Sequence, residues 1–286
     1  MSIPLPYSRF CISLCFFLYC GATEAEPEAA ILRQDYRTME ESLSHSPLQS
    51  PVILNSQENA EHLSGDLYAS VEYSIAALGV ATGNADRWCE IMLLLSNTKA
   101  CRTHANQKNS LWVSVSSSKG ADTAGATTTE FQQDVRASNS EYLDSGISAK
   151  EGPLGTQDIQ MRLQAVALSP NRSFLHLHYS YNTQWLGRLA MQAYLQTLGR
   201  GKVGFTQTSG ADDGTPSFIA GPRSVIERNT MRYFLGLDCA LATAPGPQRF
   251  NTMVGCWYDQ IEKYPLQLHE MPRSEYLQMK ASQYQR

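Results

Sequence analysis

The chain has 286 residues, 42% hydrophobic and 17% charged, with a formal net charge of −4 at neutral pH. That is enough for one large core or two small ones. The acidic balance excludes nucleic acid, which calls for a basic stripe, and an electrostatic anchor on anionic lipid, so partners are expected to be recognised by shape and apolar contact.

In chain order, the first signal is at the N-terminus. Residues 1–9 carry one positive charge, residues 10–19 are largely apolar, and Gly21, Ala22 and Ala25 follow before the chain turns acidic. This is the pattern of a cleaved secretory signal, assigned to residues 1–25. The apolar run is much shorter than the roughly 20 residues a spanning helix needs, so no transmembrane span is expected in the mature chain. The protein is expected to be exported, periplasmic or secreted. Cys20 raises lipoprotein processing as an alternative, although the bulky Tyr19 before it argues against that site.

Cys11, Cys15 and Cys20 lie in or beside the signal, leaving Cys89, Cys101, Cys239 and Cys256. An even number in an oxidising compartment implies disulfides. Four cysteines allow three pairings; Cys89–Cys101 and Cys239–Cys256 are favoured because each pair brackets one local segment. A short loop of the first kind stabilises by about 3 kcal/mol in the chain-entropy model. There is no CxxC spacing, and His104 is the one histidine close in sequence to these cysteines, which speaks against a cysteine metal site.

Residues 26–50 are polar, with a brief helical hint over 31–39 and punctuation at Pro47 and Pro51, and read as a linker or loosely docked arm. The core begins near Val52. DLYASVEY (66–73) alternates as a half-buried strand, and residues 74–95 read as helix broken at Gly83-Asn84, with Asn84 or Asp86 capping the second piece. Short strands at 101–104 and 111–115 precede a Gly/Ser/Thr-rich loop over 116–129. Strands at 131–137, 141–149, 156–168 and 173–181 follow, joined by hard turns at Gly152-Pro153-Leu154-Gly155 and Pro170-Asn171. These alternating runs make an antiparallel meander with one buried face.

Residues 185–198 are helical, and 203–207 can pair with 217–220 as a hairpin. SVIERNTMRYFLGLDCALATA (224–244) is the most amphipathic helix, with Ile226, Thr230, Tyr233, Phe234, Leu237, Ala240 and Leu241 on one face and Arg228 and Arg232 on the other. Helices over 249–263 and 273–285 complete one domain, 51–286.

The order of strand, paired short helices, meander and long amphipathic helix resembles the START-like helix-grip superfamily. WCEIMLLLSNTKAC, EGPLGTQDI, AMQAYLQTLGRGKVGFT and ERNTMRYFL look like motifs of a group of secreted bacterial proteins with no settled function. The resemblance covers residues 52–276. It implies an α+β fold in which a curved antiparallel sheet wraps a long C-terminal helix and leaves a cavity between them, with extra helices after it. The segment 185–220 and the tail from Pro245 are additions to that plan, placed to fill or lid such a cavity.

His176 and His178 form an HxH pair on a strand and so share a face. Given a carboxylate from a neighbouring strand (Asp158, Glu130, Asp134 and Asp144 are candidates) they are a metal-ligand pair; otherwise they sit on the outer surface. Arg228 and Arg232 are like charges at i, i+4, which costs a helix about 0.2–0.5 kcal/mol. They are either salt-bridged and solvated or placed to hold an anionic ligand headgroup. Tyr233, Tyr179 and Tyr181 complete the candidate ligand-binding set, against the plainer reading of aromatic core. No nucleophile elbow, HExxH, Cys–His signature or dinucleotide fingerprint is present, and no cofactor is expected. The reading is a non-enzymatic, exported binder of an apolar or lipid-like molecule. An envelope interaction module, docking a protein partner through the C-terminal tail, is the alternative. A metal-dependent enzyme at His176/His178 is a third possibility.

Overall fold

A computed structural model describes residues 25–116, 122–197, 199–208 and 217–284. Nearly all of the expected signal, part of the 116–129 loop and the turn expected at residues 211–214 fall outside these. Eight strands form one antiparallel sheet: β1 (Val52–Glu58), β2 (His62–Val71), β3 (Thr98–His104), β4 (Gln107–Val115), β5 (Thr127–Ser138), β6 (Tyr142–Glu151), β7 (Thr156–Ser169) and β8 (Arg172–Thr183). Their order is β1-β2-β8-β7-β6-β5-β4-β3, so the one non-local pairing joins β2 to β8, with Gly65 opposite Tyr179 and Asp66 opposite His178. Alternation does what the sequence predicted. Leu163, Ala165, Leu175, Leu177, Tyr179 and Tyr181 all turn to the inner face and are buried.

Helices α2 (Ile75–Thr82) and α3 (Ala85–Met92) follow β2 on that inner face. Each starts at a side-chain cap: Ala77 N donates to Ser74 Oγ at 3.2 Å, and Arg87 N to Asn84 Oδ1 at 3.0 Å. The Cys89–Cys101 disulfide ties α3 to β3. After β8 come α4 (Trp185–Gln196) and a two-residue hairpin of β9 (Gln207–Thr208) and β10 (Ser217–Phe218).

The long helix α5 (Gly221–Ala242) lies across β1, β2 and β8. It approaches β2 closely because Gly65 has no side chain: a Cβ there would meet Thr230 Oγ1 at 2.3 Å. The sheet grips this long late helix, the α+β helix-grip arrangement expected from the sequence. Three further helices follow: α6 (Arg249–Ile261), α7 (Pro265–Leu268) and α8 (Arg273–Tyr284).

The helix departs from expectation in one respect. Every residue of α5 from 224 to 237 except Asn229 is buried, so its second face is not solvated. The loop through residues 203–206 and helices α4, α6 and α7 cover it, with α8 packed on α6. Cys239–Cys256 staples α5 to α6, and Trp257 Nε1 donates to Arg232 O at 3.3 Å. Arg249 donates to the carbonyls of Ala240 and Thr243, placing a cation at the helix C-terminus where the dipole favours one. In the tail, Tyr276 stacks on Trp257 with centroids 5.2 Å apart, and its hydroxyl donates to Leu94 O at 2.6 Å. Trp257, Tyr276 and Lys280 of the tail are therefore buried, while other tail residues stay exposed.

Residues 26–50 also differ from a loose arm. They contain most of a 20-residue helix, α1 (Ala25–Ser44), laid on the outer face of the sheet. Ala29, Leu32 and Leu43 are buried with Tyr142, Val166 and Phe174, and Tyr36 and Met39 pack alongside. The spacing 29, 32, 36, 39, 43 is a narrow helical stripe, hidden in the sequence by the polar residues around it.

Two stability predictions follow from the buried charges. Lys280, fully buried, donates to Leu95 O at 2.6 Å, Thr98 O at 3.0 Å and Gln283 Oε1 at 2.9 Å. Burial, with Lys99 nearby and Glu270 opposing, holds its amine well below the ordinary lysine value. Lys280→Ala leaves these carbonyls unanswered and is expected to destabilise by about 3 kcal/mol in urea titration. Asp238 on α5 is raised above its ordinary 3.8 by burial, with Lys263 opposing. The folded state therefore favours the protonated carboxyl: the resulting stability is complete below pH 3.8 and is lost as pH rises through the folded value. Asp238→Asn is expected to raise the urea midpoint at pH 7, with the gain vanishing near pH 3.

Candidate functional site

The five residues expected to line a ligand site divide into two groups. Tyr179, Tyr181 and Tyr233 lie between sheet and helix and pack on one another, with ring centroids 5.7 Å apart for Tyr179–Tyr181 and 5.1 Å for Tyr179–Tyr233. Burial pushes all three phenols up, Tyr233 to about 12. They fill the space they were expected to line.

Arg228 and Arg232 lie on the far side of α5 from the sheet, under the added segments. Arg232 Nη2 is 2.5 Å from Glu270 Oε1, and its Nη1 donates to Asn229 Oδ1 at 3.2 Å. Glu227, beside them and fully buried, accepts from Ser56 Oγ at 2.6 Å, Phe205 N at 2.6 Å, Thr206 N at 2.9 Å and Thr206 Oγ1 at 2.7 Å. Those four donors pin the loop through residues 205–206 onto α5 and β1, and leave Glu227 committed.

Arg228 is different. It is 1% exposed, and no carboxylate among the described residues lies within ion-pair distance of it. Its Nη2 reaches Tyr194 Oη of α4 at 3.4 Å, while the buried Nε and Nη1 have no hydrogen-bond partner among the described residues. Burial lowers the guanidinium from its ordinary range; Tyr194 opposes this and Arg232 adds to it. Lys202, which donates to His269 O, is near enough that burial, Arg232 and Arg228 together lower its amine, with Glu270 opposing. Three cations thus share one region with Glu270, whose carboxylate is already held by Arg232 and Ser96. A buried ion lacking a counter-charge costs several kcal/mol.

α4, which covers Arg228, is thinly attached. Its Trp185 and Leu189 are 65% and 58% exposed, and Gly187 is the one fully buried residue among its described side chains.

On the outer face, His176 and His178 do share an orientation, and a neighbouring strand does supply a carboxylate. It is Asp66 of β2: His176 Nε2 and His178 Nδ1 each lie 2.8 Å from Asp66 Oδ1. Burial would raise that carboxyl, but the hydrogen bonds and charge of the two histidines hold it well below the usual carboxylate range. The carboxylates named from sequence are engaged elsewhere: Asp144 with Arg162 and Arg136, Asp134 with Arg136, Asp158 with Asn182, and Glu130 with Gln132. Asp66 was missed because its place opposite His178 depends on a pairing across more than a hundred residues. The alternation of 66–73 alone would have put Asp66 on the polar face.

Two open grooves lie among the described residues, and neither is lined by Arg228, Arg232, Asp66, His176, His178 or the three tyrosines. One of ≈ 360 Å³ is lined by residues including Glu61, Asn182, Trp185 and Arg188; the other, of ≈ 660 Å³, runs over β5, β6 and β7. No helix among the described residues is long and apolar enough to cross a membrane.

No family model matches the sequence, and no curated protein matches it. Matches among solved structures include a START superfamily protein from Mycobacterium smegmatis, 13% identical over 49% of this chain and 90% of that one, with a TM-score of 0.31. Human StAR-related lipid transfer protein 5 is 9% identical over 74% and 97% of the two chains, with a TM-score of 0.36. The Zhui aromatase/cyclase from Streptomyces sp. R1128 is 11% identical over 63% and 92%, also at 0.36.

Proposed function

We propose that this chain is an exported helix-grip protein that binds an amphipathic anion, with the headgroup received by Arg228. The observation that carries this reading is the buried guanidinium whose Nε and Nη1 have no partner among the described residues. Oxygens of a carboxylate or phosphate would answer these N–H groups with charge-assisted hydrogen bonds and supply the missing counter-charge. Lys202 and Arg232 add positive potential from one side. Entry is past α4, and Trp185 and Leu189, one turn apart on that helix, offer hydrocarbon contact at the entrance. Tyr233, next to Arg232 and hydrogen-bonded to Tyr179, connects the headgroup region with the sheet. Export rests on the N-terminal pattern and agrees with the two disulfides. No step of bond making or breaking is assigned.

The test is thermal and chemical unfolding with dodecanoate, dodecyl phosphate and neutral dodecanol as probes. Both anions are expected to raise the midpoint, by about 2.7 kcal/mol at a hundredfold excess over Kd, with no effect from dodecanol. Arg228→Met should abolish that response while stabilising the ligand-free protein by about 1–4 kcal/mol, because it removes an uncompensated buried charge. A variant that is strongly destabilised and binds the anions as before would assign Arg228 to structure alone. Equal responses to dodecanol and the anions would remove the headgroup from the reading.

A further inference from the structure

We infer that Asp66, His176 and His178 form a binding site for a single divalent transition-metal ion, such as Zn²⁺, on the outer face of the sheet. The strand period turns both histidines of the HxH pair to one face, and the β2–β8 register sets Asp66 directly across from His178. One ligand atom from each of the three residues can be chosen so that all lie within 4.8 Å of one another. The two rings present different nitrogens, Nε2 of His176 and Nδ1 of His178, to the same carboxylate oxygen at 2.8 Å. Two imidazoles and one carboxylate are a donor set suited to Zn²⁺, Co²⁺, Ni²⁺ or Cu²⁺ rather than to Ca²⁺ or Mg²⁺.

The surroundings orient these ligands as outer groups do in metal centres. Ser180 Oγ is 3.0 Å from His178 Nε2, which fixes that ring with Nδ1 toward Asp66. The Tyr68 ring is stacked on His176, with centroids 4.4 Å apart and planes 7° from parallel. The nearest strand cation, Arg162, is opposite His178 on β7, but its guanidinium is taken by Asp144 and Glu28, so its charge is compensated. The side chains of Asp66, His176 and His178 are 19%, 18% and 27% exposed, enough for an ion to reach them from solvent. Three protein ligands leave a fourth tetrahedral position for water or a small donor. The site is on the opposite face of the sheet from α5 and is independent of the anion site at Arg228.

The experiment is equilibrium dialysis of the chelator-treated full chain against Zn²⁺, with metal content read by mass spectrometry and folding checked by circular dichroism. About one Zn²⁺ per chain is expected, falling to background in the double variant His176→Gln/His178→Gln and in the isosteric Asp66→Asn. Ser180→Ala, which touches no metal, should weaken binding by about 10-fold through the freed His178 ring. Co²⁺ in the wild type should give the visible bands of a low-symmetry N,O site, absent from the double variant. Zn²⁺ uptake equal in wild type and folded double variant would overturn the inference. So would a folded Asp66→Asn protein that binds Zn²⁺ with unchanged affinity.

Discussion

A helix buried on all sides must have each of its polar side chains answered from elsewhere in the chain, and α5 sets that requirement for the rest of the molecule. Its apolar face is met by the sheet, with the missing side chain at Gly65 letting Thr230 come close. Its polar face is met by additions to the simplest helix-grip plan. Glu227 is satisfied by β1 and the loop through residues 205–206, Arg232 by Glu270, and the C-terminal carbonyls by Arg249. Arg232 Nε and Arg228 Nε and Nη1 have no partner among the described residues, but Arg232 has the Glu270 carboxylate as counter-charge and Arg228 has no carboxylate within ion-pair distance.

The two faces of the sheet carry separate chemistries. Inside, Tyr179, Tyr181 and Tyr233 close the layer beneath α5, so the charged region lies behind the helix rather than beneath it. Outside, α1 shields one part of the sheet, and beside it a polar ladder runs from Tyr68 through Asp66, His176 and His178 to Ser180. Glu28 of α1 bonds to Arg162, Gln164 and Tyr142, so the start of the described chain takes part in organising that face.

Much of this could be read from the sequence. Period-2 alternation located the strands, Asn84 marked a helix start, and short spacing identified both disulfides, because all of these are local properties. What could not be read depends on distant partners. Whether Arg228 and Arg232 are solvated or covered is not legible locally, because the groups that answer this face are distant: Ser56, which bonds the neighbouring Glu227, lies 171 residues away. Asp66 joins the histidines only through strand register, and α1 showed only as a brief helical hint because its five apolar positions are diluted by charge.

The sheet order has a kinetic consequence. β2 needs β8 as its neighbour, and Asp66 and His178 are 112 residues apart in the chain. The hairpin of β1 and β2 must wait with an open edge while β3 to β7 are made. Contacts of that separation slow folding and expose strand edges to other chains in the meantime. The last helix, α8, then fastens Leu94, Leu95 and Thr98 near the start of β3. The native sheet is therefore completed late, when β8 takes its place between β2 and β7, and a chain ending before β8 would leave β2 with an unpaired edge.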